Sequence, residues 1–393
     1  MKNDVKFVDL NSQYIRIKSE IDFAIQSVLN SGEFINGIEV GLFANELEKY
    51  LKVKHVIPCA NGTDALQIAL MSLELNRGDE IIVPSFTYVA CAEVIRLLGY
   101  KPVFVEVDSR TFTISIPDLV KKISQRTKVI IPVHLFGQCA QMEEILKIVK
   151  DYNLYCIEDT AQAIGAKYTN SNGNTYMAGS MGTFGTTSFF PSKNLGCYGD
   201  GGALFTNDDQ LAKRAKMIAN HGQKVKYIHE IVGCNSRLDS IQAAVLRVKL
   251  KYLNEFTKAR QKVAEFYNNG LKDLMGIQTP FTESYTSHVF NQYTIVIEQS
   301  GDINVEEFRY HLRKEMHKIG VPSVVYYPVP VHLQAAYLSK QFLKNSLPIT
   351  ENLTKSVLSL PMHTEINRLG ATKVVNAFSA AYNHCKVGIK TKI

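Results

Sequence analysis

The chain has 393 residues, which is more than one typical domain, so we expect a large domain and a smaller one. Hydrophobic residues make up 46% and charged residues 21%, as in an ordinary globular protein with a sizeable core. The formal net charge of +7 comes from scattered lysines without a dense basic block, which argues against nucleic-acid binding and suits an anionic small substrate.

The 7 cysteines are dispersed, odd in number and never in a C-x-x-C pair. This pattern argues against a disulfide framework and a structural zinc site, so we expect no metal and a reducing compartment. Residues 1–10 contain no apolar signal core, and no uninterrupted apolar run approaches the length of a membrane span. The sequence therefore predicts a soluble, cytoplasmic protein without a membrane partner.

Short apolar strands alternate with amphipathic helices through the first part of the chain. Helices are predicted at residues 14–29, 40–51, 88–98, 117–124 and 142–150, and strands at residues 55–60, 80–84, 102–106, 129–133 and 154–157. This alternation predicts an α/β fold with a largely parallel sheet that is covered by helices on both faces. Ligands on such sheets bind at the carboxyl ends of the strands, which draws attention to Tyr88, His134 and Asp159.

The first strand runs directly into a helix through Asn61-Gly-Thr-Asp-Ala-Leu66. A helix start exposes unpaired N–H groups at the positive end of its dipole, which suits a phosphate. Gly62 allows a close approach of the backbone, and Thr63 adds a hydroxyl. The alternative is a plain helix cap by Thr63 or Asp64, which this stretch taken alone favours.

Two polar residues stand at the end of the apolar strand predicted at residues 154–157. Asp159 could hold a ring nitrogen protonated, and Gln162, one turn later, could form a hydrogen bond with a phenolic oxygen. The alternative is an N-cap aspartate with a solvent-facing glutamine, and the residues alone leave both interpretations open. Residues 170–179 are predicted to form a polar hairpin tip, and strands at 185–190 and 202–206 complete the sheet.

Lys193 lies between those last two strands, among small, aromatic and glycine residues, with no carboxylate beside it before Asp200. Burial beside apolar groups lowers the pKa of a lysine, and the neutral amine can then attack an aldehyde. Lys193 is therefore a candidate Schiff-base lysine, although taken alone an ordinary loop lysine is the simpler interpretation. The nearby Cys197 has no base around it, so we expect it to pack.

The second part of the chain alternates differently. Helices are predicted at residues 209–219, 240–271, 305–319, after the proline-rich turn at 327–330 and at the C-terminus, and strands at 292–298, 322–327 and 356–361. We interpret this pattern as a small α+β domain joined to the sheet by the long helix. The predicted division is a large domain at residues 1–250 and a small C-terminal domain at residues 251–393.

The pieces converge on one cofactor. A phosphate cup, an aromatic platform, a strand-end acid and a lysine are the parts needed to hold pyridoxal 5'-phosphate (PLP). In these parts the chain resembles the DegT/StrS sugar-nucleotide aminotransferases, which have the aspartate-aminotransferase fold, the PLP transferase fold type I. The matching motifs extend over nearly the whole chain, at residues 31–37, 60–66, 84–90, 158–162, 190–202, 232–239 and 327–330.

The resemblance implies a role for each matching position. Lys193 would form the Schiff base and move protons, Asp159 would pair with the pyridinium nitrogen, and Gln162 would bind the ring hydroxyl. Tyr88 would stack on the ring. The phosphate would be held by Gly62, Thr63, Ser188 and, from the other subunit, Asn235.

A homodimer with shared active sites is implied by that last contact. Arg237 would contact the substrate, although a salt bridge to the nearby Asp239 remains an alternative. The family implies L-glutamate as amino donor, giving 2-oxoglutarate, and a nucleotide sugar as acceptor.

The motifs look most like the subgroup that aminates the 3-position of a UDP-linked 2-acetamido-3-oxo-uronic acid for O-antigen synthesis. One departure matters, because this chain has Tyr326 where the subgroup tends to have a histidine. The resemblance implies that this position, like Tyr327, faces the substrate. A dTDP-linked 3-keto-6-deoxyhexose is therefore the runner-up. Arg237 would favour the uronate if it meets a carboxylate, but arginine also suits diphosphates. A non-catalytic regulator on the same fold is the alternative of another class, and the absence of a DNA-binding motif argues against it.

Overall fold

A computed structural model describes residues 5–298, 304–338 and 343–390, with side chains up to residue 386. The helices are α1 (Leu10–Arg16), α2 (Lys18–Ser31), α3 (Ile38–Leu51), α4 (Gly62–Met71), α5 (Ala90–Leu97), α6 (Ile116–Lys122), α7 (Met142–Asp151), α8 (Asp209–Ala219), α9 (Ser240–Leu271), α10 (Val305–Lys318), α11 (Pro348–Ser356) and α12 (Arg368–Lys390). The strands are β1 (His55–Cys59), β2 (Glu80–Pro84), β3 (Lys101–Val105), β4 (Thr127–Ile130), β5 (Tyr155–Asp159), β6 (Lys167–Thr169), β7 (Thr175–Met177), β8 (Phe184–Ser188), β9 (Gly202–Thr206), β10 (Gln223–Val225), β11 (Ile228–His229), β12 (Ile277–Gln278), β13 (Tyr293–Ile297) and β14 (Val357–Leu360).

The first part of the chain folds around a 7-stranded sheet of order β1-β9-β8-β5-β4-β2-β3. Neighbouring strands from β8 to β3 are parallel, whereas β9 runs antiparallel to both β8 and β1. Helices pack against the sheet, and its strands are buried almost throughout. The predicted α/β architecture with a mostly parallel sheet is confirmed.

The strand register explains why distant parts of the sequence meet. Cys59 at the end of β1 and Ser188 at the end of β8 both pair with Gly202, the first residue of β9. One strand further, Asp159 at the end of β5 pairs with Thr186 of β8. A Cβ atom on Gly202 would lie 2.3 Å from the carbonyl carbon of Asn61, so only glycine fits at this crossing. The carboxyl ends of β1, β5 and β8 therefore form one wall.

The long helix α9 has 32 residues and packs against α2, α3 and α12. It continues without a break through residue 250, so the division at residues 250 and 251 stays a prediction. Among the described residues, none of the helices combines the length and the apolar character that crossing a bilayer requires.

The C-terminal part contains the antiparallel sheet β12-β13-β14, against which α10 and α12 form a separate apolar core. The strand predicted at residues 322–327 is wrong, because this segment makes only an isolated bridge between Val324 and Ser359. Pro322 and Pro328 flank the bridge, and proline offers no N–H group to extend a ladder. The helix predicted at residues 14–29 is interrupted at Ile17, whose φ of −117° is not helical.

A buried histidine in this part makes stability depend on pH. His288 stacks on Phe290 with ring centroids 4.0 Å apart, and its Nδ1 accepts a hydrogen bond from the Phe290 N–H. Burial lowers the pKa of His288 from 6.5 to about 3. The unfolded chain therefore takes up this proton first, and stability is lost as the pH falls below about 6.5.

We expect the contribution of His288 to the free energy of unfolding to fall by about 2 kcal/mol between pH 7 and pH 5. Urea denaturation at the two pH values measures this loss. His288→Gln keeps an acceptor for the Phe290 N–H but does not titrate, so its pH dependence should be flatter by that amount. An equal pH dependence in both proteins would contradict the prediction, whatever the stability of the variant at pH 7.

Candidate active site

A cavity of about 640 Å³ opens at the carboxyl ends of the central strands. It brings together most of the residues singled out in the sequence, namely Gly62, Thr63, Tyr88, Asp159, Gln162, Ser188, Lys193, Tyr326 and Tyr327. Asn235 and Arg237 do not line this cavity. His134 does not line it either, because its ring is buried and paired with Glu158, Nε2 to Oε2, at 2.9 Å.

One end of the cavity is the N-terminus of α4. The side chain of Asn61 caps this helix by accepting a hydrogen bond from the Asp64 N–H at 2.8 Å, so the alternative of a cap by Thr63 or Asp64 is wrong. Within the described part of the chain, the N–H groups of Gly62 and Thr63 have no hydrogen-bond partner. A Cβ atom on Gly62 would lie 2.7 Å from the Cβ of Ser188. The helix start and Ser188 thus form a tight cup with free donors.

Asp159 presents a fixed carboxylate to the cavity. Its Oδ1 accepts a hydrogen bond from the Ala161 N–H at 2.9 Å, and its Oδ2 accepts one from the Cys91 thiol at 3.3 Å. Burial and the nearby Asp159 raise the pKa of Cys91, so the thiol stays protonated and remains a donor. Both oxygens of the carboxylate are therefore held in a fixed orientation at the cavity wall.

Gln162 is 7% exposed and therefore does not face solvent. Its Oε1 accepts a hydrogen bond from the Phe136 N–H at 2.9 Å, which fixes the amide so that Nε2 donates to the Tyr327 hydroxyl at 3.1 Å. Tyr88 is 59% exposed, with its ring centroid 6.4 Å from that of Tyr327. An amide donor and an open aromatic face therefore stand together in the cavity wall.

Lys193 lies on the loop that connects β8 to β9. Desolvation lowers the pKa of its amine, and the negative charge of Asp159 acts in the opposite direction. Within the described residues, Nζ of Lys193 has no hydrogen-bond or ion-pair partner. An amine with a lowered pKa and no partner is prepared to act as a nucleophile.

The loop is held by contacts that its residues just after Lys193 make with other parts of the fold. Nδ2 of Asn194 donates to the Val289 carbonyl at 3.0 Å, and Nζ of the buried Lys249 donates to the Gly196 carbonyl at 2.7 Å. Cys197 is completely buried, and its thiol donates to the Phe189 carbonyl at 3.0 Å. Burial raises the pKa of Cys197 to about 11, which fits the expected packing role.

Asn235 and Arg237 line a second cavity, of about 440 Å³, beside the first. Asp200 lines both cavities. Across the described residues, Arg237 forms no ion pair with Asp239 or with any other carboxylate. Its guanidinium group is therefore available to a ligand.

Two polar contributors to the site were not singled out in the sequence. Gln292 lines the first cavity from just before β13, and Cys91, which lies outside the lining, supports Asp159 from α5. Neither residue belongs to a local pattern that marks a site, because Gln292 reaches the cavity and Cys91 reaches Asp159 only through tertiary packing.

Comparison with known proteins identifies the family. A family model described as the DegT/DnrJ/EryC1/StrS aminotransferase family matches residues 15–379. The chain belongs to this family. It is therefore an aminotransferase whose cofactor is PLP, as the sequence predicted.

Three relatives illustrate the range of the family. A Pseudomonas aeruginosa protein named UDP-2-acetamido-2-deoxy-3-oxo-D-glucuronate aminotransferase is 45% identical, over 91% of this chain and 95% of its own. A Geobacillus stearothermophilus protein named pleiotropic regulatory protein is 42% identical, over 97% and 99% of the two chains. The crystal structure of DesV from S. venezuelae in complex with a ketimine intermediate superposes with a TM-score of 0.90, at 38% identity over 96% and 98% of the chains.

The residues of the first cavity fit the cofactor. The cup at Gly62 and Ser188 offers free N–H groups to a phosphate, and a Cβ at Gly62 would close it. The buried carboxylate of Asp159 suits a ring nitrogen, and the unpartnered amine of Lys193 suits an aldehyde. The cavity therefore offers a partner to the phosphate, to the ring nitrogen and to the aldehyde of PLP.

Proposed function

We propose that the protein transfers the amino group of L-glutamate to the 3-keto group of UDP-2-acetamido-2-deoxy-3-oxo-glucuronate, giving a 3-amino sugar for surface polysaccharide such as O-antigen. The observation that supports this substrate is the 45% identity to the P. aeruginosa aminotransferase over 91% of the chain. The runner-up is a dTDP-linked 3-keto-6-deoxyhexose. It is supported by Tyr326, which lines the cavity at the position where the sequence departs from the subgroup.

The roles of the chain's own residues follow from their contacts. PLP, when bound, supplies an electron sink that makes the proton on the amine-bearing carbon removable. Lys193 would accept that proton on Nζ and serve as the acid that gives it back, which its lowered pKa permits. Asp159 keeps a positive charge on the ring nitrogen, and Gln162 donates from Nε2 toward the cofactor's ring oxygen. The cup at α4 fixes the phosphate so that these groups stay aligned.

We further propose a homodimer in which Asn235 and Arg237 complete the partner's site. Both residues line the second cavity, next to the first but outside it. Apolar side chains around this region are exposed, including Ile35 at 50% in the cavity wall and Val232 at 84%. A concentration of exposed apolar groups marks an interface. Asn235 would then reach the phosphate and Arg237 the carboxylate or diphosphate of the substrate.

Mixed dimers test this sharing. Lys193→Ala and Asn235→Asp each remove activity on their own, the second because a carboxylate repels the phosphate. Co-expression with two affinity tags gives dimers that contain one subunit of each variant. If Asn235 acts across the interface, one of the two sites in such a dimer is fully wild-type, and about half of the wild-type kcat returns. Mixed dimers no more active than their parents would contradict a shared site.

The substrate is tested in two half-reactions on cofactor-loaded protein. Addition of glutamate converts the cofactor and changes its absorbance, and keto-sugar nucleotides are then offered one at a time to restore it. Restoration by the UDP-linked 3-oxo-uronate supports the proposal, whereas restoration only by the dTDP-linked 3-keto-6-deoxyhexose supports the runner-up. A protein that shows no change with glutamate would overturn the amino-donor assignment.

The cytoplasmic location of the protein remains a prediction.

The regulator alternative is the interpretation suggested by the name of the G. stearothermophilus relative. The arrangement of Lys193, Asp159 and Gln162 around one cavity argues for catalysis, since a regulator needs no amine with a lowered pKa. Turnover of both half-reactions distinguishes the two classes directly.

A further inference from the structure

Gln292 is unusual among the polar residues of the first cavity. Its side-chain oxygen, Oε1, is buried and has no hydrogen-bond partner. Several other described side chains also contain a buried polar atom without a partner, but only Gln292 among them lines the cavity. Leaving a buried acceptor unpaired costs free energy. Because this acceptor lies at a ligand cavity, we expect the bound ligand to supply its hydrogen-bond donor.

The backbone that carries Gln292 is fixed to the Lys193 loop. Nδ2 of Asn291 donates to Oδ1 of Asn194 at 2.8 Å, which ties the residue before Gln292 to the residue after Lys193. The buried guanidinium of Arg260 donates to the carbonyls of Phe290 and Asn291, at 3.2 and 3.3 Å. A functional group supported in this way is held in register with the reacting centre.

The side chain of Gln292 lies against Tyr326. Burial raises the pKa of Tyr326, and a side-chain hydrogen bond with Gln292 lowers it in part. A hydrogen bond that lowers the pKa of a tyrosine is donated to its oxygen, so it engages Nε2 of Gln292 and leaves Oε1 for a ligand. The two residues thus form a polar pair in the cavity wall.

The chemistry of the two substrates decides which of them an acceptor would recognise. Glutamate offers carboxylates, which only accept hydrogen bonds, and an amino group that must react at the cofactor. A keto sugar offers hydroxyl and acetamido N–H donors next to its carbonyl. We propose that Gln292 is a specificity-determining residue, whose Oε1 accepts a hydrogen bond from a hydroxyl or acetamido N–H beside the keto group of the sugar. This inference rests on the proposed function.

The test compares Gln292→Met, which removes the acceptor at similar size, with Gln292→Glu, which keeps one. The matched control is Gln210→Met at an exposed glutamine of α8. Stopped-flow absorbance on cofactor-loaded protein gives the rate constants of the glutamate and keto-sugar half-reactions separately. For Gln292→Met we expect kcat/KM of the keto-sugar step to fall about 10-fold more than that of the glutamate step, with at least partial rescue in Gln292→Glu.

Substrate analogues identify the donor. One UDP-linked probe lacks the 4-hydroxyl, and a second replaces the acetamido nitrogen by oxygen. For the wild-type protein, kcat/KM of the keto-sugar step should be about 10-fold lower with one of the two probes than with the full substrate. For Gln292→Met, kcat/KM should be the same with that probe and with the full substrate. Equal losses in wild-type and variant for both probes would overturn the role of Gln292 while leaving the proposed function intact. A wild-type protein that reacts with glutamate but with none of the keto sugars would overturn the proposed function, and the Gln292 assignment with it.

Discussion

Lys193→Ala is expected to reduce transamination roughly 10⁴-fold or more, because it removes both the amine that binds the cofactor and the group that moves the proton. The variant should also lose the absorbance band of cofactor joined to lysine. The free N–H groups at the start of α4 remain, so PLP should still bind without a covalent link. Absorbance spectra and single-turnover rates with glutamate measure the two effects.

The control is Lys213→Ala, at an exposed lysine of α8. It should match the wild-type protein in spectrum and rate. Lys193→Arg keeps the positive charge but cannot take the place of a neutral amine, so it should behave like the alanine variant. An unchanged spectrum in Lys193→Ala would mean that another amine binds the cofactor, and the buried Lys249, whose pKa burial lowers to about 8, would be examined next.

Asp159→Asn is expected to lower the rate of both half-reactions roughly 10²- to 10³-fold, because a neutral amide cannot stabilise a positive charge on the ring nitrogen. The amide has nearly the size of the carboxylate and can still accept the Ala161 N–H, so the fold should survive. Cofactor should still join Lys193. The measurement is stopped-flow absorbance with glutamate at saturating concentration.

The matched control for this substitution is Asp273→Asn, at an exposed position after α9. Its rates should equal those of the wild-type protein. A drop in cofactor affinity alone, with unchanged rates at saturating PLP, would show that Asp159 helps to bind the cofactor but does not take part in its chemistry.

The rule that ligands bind at the carboxyl ends of parallel strands drew attention to Tyr88 and Asp159, which line the cavity, but also to His134, which does not. Lys193 follows β8 and was found from its apolar surroundings, and the parts needed to hold PLP grouped it with Asp159 and Gln162. The helix cap could not be chosen in the same way, because asparagine, threonine and aspartate are all good cap residues and only the backbone angles select Asn61.

Other features depend on tertiary structure that no local pattern encodes. The segment just before Gln292 is held by Asn194, through the side chain of Asn291, and by Arg260, through the carbonyls of residues 290 and 291. These contacts join parts of the chain that are far apart in the sequence. The segment at residues 322–327 has the composition of a strand, but its place beside β14 allows a single bridge. The roles of Asn235 and Arg237 remain predictions, since they concern a second subunit.

The antiparallel β9 has a consequence for changes in chain length. The loop with Lys193 leaves β8 at Ser188 and returns at Gly202, and these two residues are paired with each other. Both ends of the loop are therefore fixed at the rim of the cavity. We expect an insertion or deletion within the loop to displace Lys193, because the strand ends cannot move apart to absorb it. The exposed turn between β6 and β7 does not line the cavity. Tags, labels or grafted peptides belong there, where an added segment extends outward and leaves the catalytic loop at its natural length.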